Sequence, residues 1–200
     1  MKKTLRALLV AGTVFSLSGC GGGTGGVSGF MHAIQSDKDA KNFVNTLVTQ
    51  AKAILDSKPA DPNNTSSTHV ISGTDGGTAT VTGKTNSQDS NCGTDCISTT
   101  RDADYEIRFD NYQNAGGTIS SGKVSYHHHS YNRQNGLNHS SSQSYSIKSL
   151  TPVTAKIITY TYEDETHGLN DTVDFSGTSS SALTNFTGTC TNEKGEKYSY

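Results

Sequence analysis

The spacing of apolar residues changes once along this chain, from a period near four to a period of two, and that change bounds the folds open to it. Across Met31 to Ser57, Phe43, Val44, Leu47, Val48, Ala51, Ile54 and Leu55 recur at three- and four-residue intervals, so one stripe of a helix is apolar and must be buried. Ser36 followed by Asp39 reads as a capping-box-like start. Pro59 and Pro62 end the helix, and Asp61-Pro62-Asn63-Asn64 is the loop after it. From His69 on, Ala79 with Val81, Tyr105 with Ile107 and Phe109, Tyr145 with Ile147, and Val173 with Phe175 alternate as half-buried strands do. Val153 to Tyr162 is apolar or aromatic on both parities, which suits a central strand covered on both faces. The expected class is α+β, mainly β: one N-terminal amphipathic helix packed on an antiparallel meander of about seven to nine short strands, a half-barrel-like sheet, with a two-sheet sandwich as the alternative.

Only 31% of the residues are hydrophobic, with no Trp and two Met, so the core is thin for the length and one domain over residues 31–200 is expected.

The residues that could carry chemistry are few. Tyr126-His127-His128-His129, with His139 close behind, offers imidazole ligands for a metal. Asn135-Gly136 is a strong hairpin signal. As the central pair of a turn it makes Gln134 face Leu137, His128 face Gln143, Tyr126 face Tyr145 and Val124 face Ile147. In that register His127 and His129 share one face, while His128 and His139 lie on the other, about 13 Å apart in level. A three-histidine site within the hairpin is thereby excluded, and His127 with His129 could hold a metal only with a third ligand from elsewhere. Glu163-Asp164-Glu165-Thr166-His167 with Asp171 is an acidic hairpin loop without the ordered spacing of a calcium site. Cys92 and Cys96 are the preferred disulfide, leaving Cys190 free, with Cys190 paired to one of them as the alternative. No Gly-x-Ser-x-Gly, His-Glu-x-x-His or phosphate-loop pattern occurs, so neither catalysis nor a cofactor is expected.

The first twenty residues carry the clearest address. Lys2, Lys3 and Arg6, the apolar run Ala7 to Phe15, and small residues leading to Cys20 have the layout of a secretory signal, too short to span a bilayer. Leu17-Ser18-Gly19-Cys20 resembles the lipobox of bacterial lipoproteins. That resemblance implies a signal peptide over residues 1–19 and a mature chain that begins at Cys20, carrying a diacylglyceryl thioether and an N-acyl chain such as palmitate. Two acyl chains suffice for stable anchoring. Gly21, where an inner-membrane retention signal of the enteric type has Asp, implies the outer membrane of the bacterial cell envelope. Residues 20–30 then hold the lipidated Cys20 and a Gly-rich tether, whose nine residues Gly21 to Gly29 span about 15–18 Å.

Cleavage removes Lys2, Lys3 and Arg6, leaving 13 of the 16 Lys and Arg against 18 Asp and Glu, a formal charge of −5 that argues against nucleic acid as a partner. The expected function is a membrane-anchored, non-enzymatic binding or structural role toward a protein or lipid partner. Two alternatives stand beside it. One is a carrier of lipid or another apolar ligand, on a fold-level similarity to half-barrel lipoprotein carriers, which a dry cavity beside the helix would mark. The other is a metal-binding lipoprotein through His127 and His129.

Overall fold

The computed structural model describes residues 30–162, 165–180 and 186–200. Its elements are β1 (Phe30–His32), α1 (Asp37–Ser57), β2 (Ser67–Ser72), β3 (Gly76–Gly93), β4 (Cys96–Asn114), β5 (Gly117–Asn135), β6 (Asn138–Tyr162), β7 (Glu165–Ser179), β8 (Thr187–Thr191) and β9 (Lys197–Ser199). The expected signal peptide over residues 1–19, the Leu17–Cys20 motif and the expected tether up to Gly29 lie outside the described residues.

α1 starts at its cap. The Ser36 side chain accepts from the Asp39 backbone N–H at 3.1 Å, and Asp39 returns a bond to the N–H of Gln35. The helix therefore begins at Asp37 rather than Met31. Ser36 closes it, which leaves the residues ahead free to pair as strand β1, parallel to β7, with Met31 opposite Gly168. At the other end Lys58 is extended because Pro59 follows it, and the helix stops as expected.

β2 to β9 form one open sheet in sequence order, antiparallel at every step, with β1 added in parallel beside β7. The two-sheet sandwich is therefore not adopted. The alternating residues Ala79, Val81, Tyr105, Ile107, Phe109, Tyr126, Ile147, Val153, Ala155, Ile157, Val173 and Phe175 are buried on one face, in a single cluster with the α1 stripe. Phe43, Val44, Val48 and Ile54 are fully buried, and Leu47 and Ala51 nearly so. The other face is open. On that face Lys156 is exposed and Ile158 half-buried; the side chains of Tyr160 and Tyr162, on which the expected two-sided burial of Val153 to Tyr162 also rests, lie outside the described ones.

The strands are also not short. β3 to β6 run 18, 19, 19 and 25 residues, because stretches rich in Ser, Thr, Asn and Gln continue the ladders well past the last core residues. Within the core part of the sheet, β6 carries Pro152 at an irregularity. The β6–β7 ladder is interrupted between Lys148 and Val153, and Gly122 on β5 meets the same spot with φ +125° and the Val153 backbone too close for a Cβ.

Ile34 is held from both sides. Its N–H donates to Asp171 Oδ2 at 2.9 Å, and its carbonyl accepts from Asn192 Nδ2 and the Tyr198 hydroxyl, each at 3.2 Å. Buried Asp171 and Asn192 thus fasten the start of the domain to its C-terminal hairpin.

Candidate functional site

Beyond Tyr105, Tyr126 and Ile147, four strands project from the core as an arm: β3 from Lys84, β4 up to Asp104, β5 from His127 and β6 up to Ser146. Cys96 is the one buried residue in it. At its base one face is still partly covered, where Ala103 and Tyr145 pack against the core; toward the tip both faces are open, and backbone ladders rather than apolar contact hold the strands together. Nine residues of strand extend it by roughly 30 Å. Its β3 edge begins under cover, since Asn64 N–H donates to the Thr85 carbonyl and the Asn63 side chain bonds both the N–H and the carbonyl of Ser87. Among the described residues, β3 from Gln88 onward has no strand partner on that side, nor has β6 from Asn138 to Ser144 on the opposite edge.

The β5–β6 turn uses Gly136-Leu137 as its central pair, with Asn135 opposite Asn138. Gly136, at φ +55°, takes the first central position, where a two-residue turn of the glycine-first type needs positive φ. This moves the expected register by two residues: His128 faces Tyr145, Tyr126 faces Ile147 and Gln134 faces His139. A shift of two keeps every side chain on its face. His127 and His129 therefore still share the outer face, and His139 stands six residues from the level of His128.

Counting back from the β4–β5 turn at Ala115-Gly116 pairs Asp104 with His127 and Asp102 with His129. Each pair is hydrogen bonded, Nδ1 to Oδ1, at 2.6 Å. Neither carboxylate was read as part of a site. The Asn114-Ala115-Gly116-Gly117 turn carried the signal, because it fixes which β4 residues stand beside the histidines. His128 faces the covered side, stacked on the Tyr145 ring at 4.4 Å, with Nε2 buried and without a hydrogen-bond partner among the described residues. Burial, reinforced by the charges of His127, Lys52 and His129, lowers its pKa.

Cys92 and Cys96 are paired at disulfide distance, Cα to Cα 5.1 Å, and staple the β3–β4 hairpin at the tip of the arm. Cys190 is free and buried, its thiol pushed up to about 12, chiefly by burial, with Asp171 and Asp174 adding to it. Of the acidic loop, Glu165 to His167 already belong to β7 and Asp171 is the buried clamp described above.

A buried polar cluster was not foreseen. Asp61, in the loop after α1, accepts from Tyr105 at 2.6 Å, Lys58 at 2.5 Å, His69 at 2.7 Å and Ser67. Burial raises the carboxyl pKa, but these bonds together outweigh it and hold the group well below the usual carboxylate range. The partners lie up to 44 positions apart, so no local pattern announces them. Ser67 bonds Asp61 rather than His69, which makes the cluster a latch between loop and sheet instead of an activated nucleophile.

A groove of about 670 Å³ runs beside α1, bordered by Asn42, Asn45, Thr46, Thr49, His32 and His167. Most of the side chains bordering it are polar, with Leu169 among them, and the sheet face an apolar ligand would need is filled by Phe43, Leu47 and Ile54 of α1 itself. Carriage of a lipid would require α1 to leave. Among the described residues, no three His, Cys, Asp or Glu side chains converge on one metal position. No protein-family model, curated protein or solved structure matches this chain.

Proposed function

We propose that this is a lipoprotein of the bacterial envelope, anchored through acyl chains on Cys20, that presents its four-stranded arm to a partner in a non-enzymatic binding role. The observation that carries the reading is the arm. Ordering backbone costs about 1–2 kcal/mol per residue, and a sheet with both faces wet recovers little of it by apolar burial. A chain with a thin core gains nothing in stability from such an extension, whereas a partner gains a broad surface of hydroxyl, amide and imidazole groups.

The topology supports a direction. The chain comes in through β1, which lies beside β7 at Gly168, opposite Ile158 of β6, while the arm tip is at Asn138 of the same strand. Twenty residues of strand, roughly 65 Å, separate the two. A body tethered near Phe30 therefore holds the half-barrel-like core close to the bilayer and the arm away from it.

The test places a photo-crosslinking amino acid at Leu137 or Ile97, both exposed at the arm tip, and at Lys156 on the body, in intact envelopes. We expect a discrete cross-linked species from the tip positions alone. Identical patterns from tip and body, or none from the tip, would contradict the reading. Metabolic labelling with an alkyne palmitate, lost in Cys20→Ser, tests the anchor separately.

A further inference from the structure

We propose that His127 and His129 form a two-imidazole site for a divalent transition-metal ion of the copper and zinc class on the outer face of the arm. The argument begins with the tautomer. A carboxylate only accepts, so Asp104 and Asp102, each 2.6 Å from a histidine Nδ1, place the ring proton on Nδ1 and leave the Nε2 lone pair free. A carboxylate behind the imidazole that orients it and raises its basicity is the usual support of a metal-binding histidine. Here it occurs twice, in register, on neighbouring rungs of one ladder.

The two rings project from the same face of one strand, two residues apart, with α-carbons about 6.5–7 Å from each other. Rings leaning together across that gap can reach one ion at about 2.0–2.1 Å from each nitrogen. The side chains are 44% and 41% exposed, so both rings are open to an incoming ion. A groove of about 420 Å³ bordered by His127, Ser144, Ser146 and Thr178 leaves room for water to complete the coordination. A structural role explains the pattern poorly. Exposed ion pairs contribute only about 0–1 kcal/mol, and this sheet already has its ladder. Among the described residues no third protein ligand converges with the pair, so the three-ligand centre that the sequence reading required is not formed; what the pair offers is an open, water-completed two-imidazole site of lower affinity, which Cu²⁺ binds more tightly than Zn²⁺.

The inference does not depend on the partner reading; the metal site can fail while the arm still binds a protein, and the reverse. The experiment is titration of the detergent-solubilised, tag-free full chain with Cu²⁺ and with Zn²⁺, with electron paramagnetic resonance of the copper form. One Cu²⁺ per chain with coupling to two imidazole nitrogens is expected. His127→Gln and His129→Gln should each weaken binding at least about tenfold. Asp104→Asn, which alters only the positioning residue, should weaken it about 10–100-fold without changing the ligand set. His139→Gln, at the far end of the hairpin, should leave it unchanged. Circular dichroism of each variant checks the fold. Binding unaltered in His127→Gln, lost equally in His139→Gln, or absent at micromolar Cu²⁺ would overturn the proposal.

Discussion

Three consecutive histidines occupy three different situations because a strand alternates. His127 and His129 meet carboxylates on the open face, and His128 meets Tyr145 on the covered one. His128 has a folded pKa below its ordinary 6.5, so its contribution is fully present above that value. As pH falls below it, the unfolded chain takes up the proton first and stability drops until the folded imidazole titrates as well. We expect His128→Phe, which keeps a ring against Tyr145 and removes the unpartnered nitrogen, to be at least as stable as the parent and to lose this acid sensitivity. Thermal midpoints between about pH 7.5 and 5 read both effects. Asp61 obeys the same sign at lower pH. Its folded pKa lies below the ordinary 3.8, so its bonds act fully above that value and fade as pH falls through the depressed one. Urea midpoints from about pH 5 to 2 should decline in the parent and flatten in Asp61→Asn, at a lower overall stability. A parallel decline in that variant would show that other carboxylates govern the acid limb.

Among the elements, those with a periodic apolar side were legible in the sequence. The Ser36 cap, the stop at Pro59 and the core positions from Ala79 to Phe175 all follow from residue spacing, because burial on one face imposes a period on the residues that bury. The arm was not legible for the converse reason. Stretches such as Ser140 to Ser144 have nothing to hide on either face and so carry no period, and only ladder pairing reveals them as strand. The same logic explains the missed carboxylates: Asp102 and Asp104 look like surface charge until the β4–β5 register sets them beside the histidines. Two kinds of strand should also differ in dynamics. Amide exchange is expected to be slow at Val81, Ile107, Tyr126 and Ile147 and faster beyond Lys84 on β3 and from Asn138 to Ser144 on β6, because little apolar burial opposes local opening there. Phe43→Ala, by contrast, removes a fully buried ring where α1 meets the sheet and should cost about 3–5 kcal/mol, read from denaturant midpoints. Uniform protection along β5 and β6 would mean that the arm is as firmly held as the core.

At the scale of the molecule, the two ends of β6 adjoin different structures. One end lies in the region where the chain comes in beside β7, and Asp171 and Asn192 lock Ile34 to the C-terminal hairpin there. The other carries the disulfide-stapled, two-faced arm. If the anchor is on Cys20, this polarity turns a small domain into a short mast. The most direct measurement is energy transfer from a donor on the acylated protein in liposomes to an acceptor at the bilayer surface. The donor is attached through Leu137→Cys in one sample and Lys156→Cys in the other, since buried Cys190 and the paired Cys92 and Cys96 leave the introduced thiol selectively reactive. The arrangement described here gives strong transfer from position 156 and weak transfer from position 137. Equal transfer from the two, or stronger transfer from 137, would mean that the arm lies on the membrane and that its free faces serve the bilayer instead of a partner beyond it.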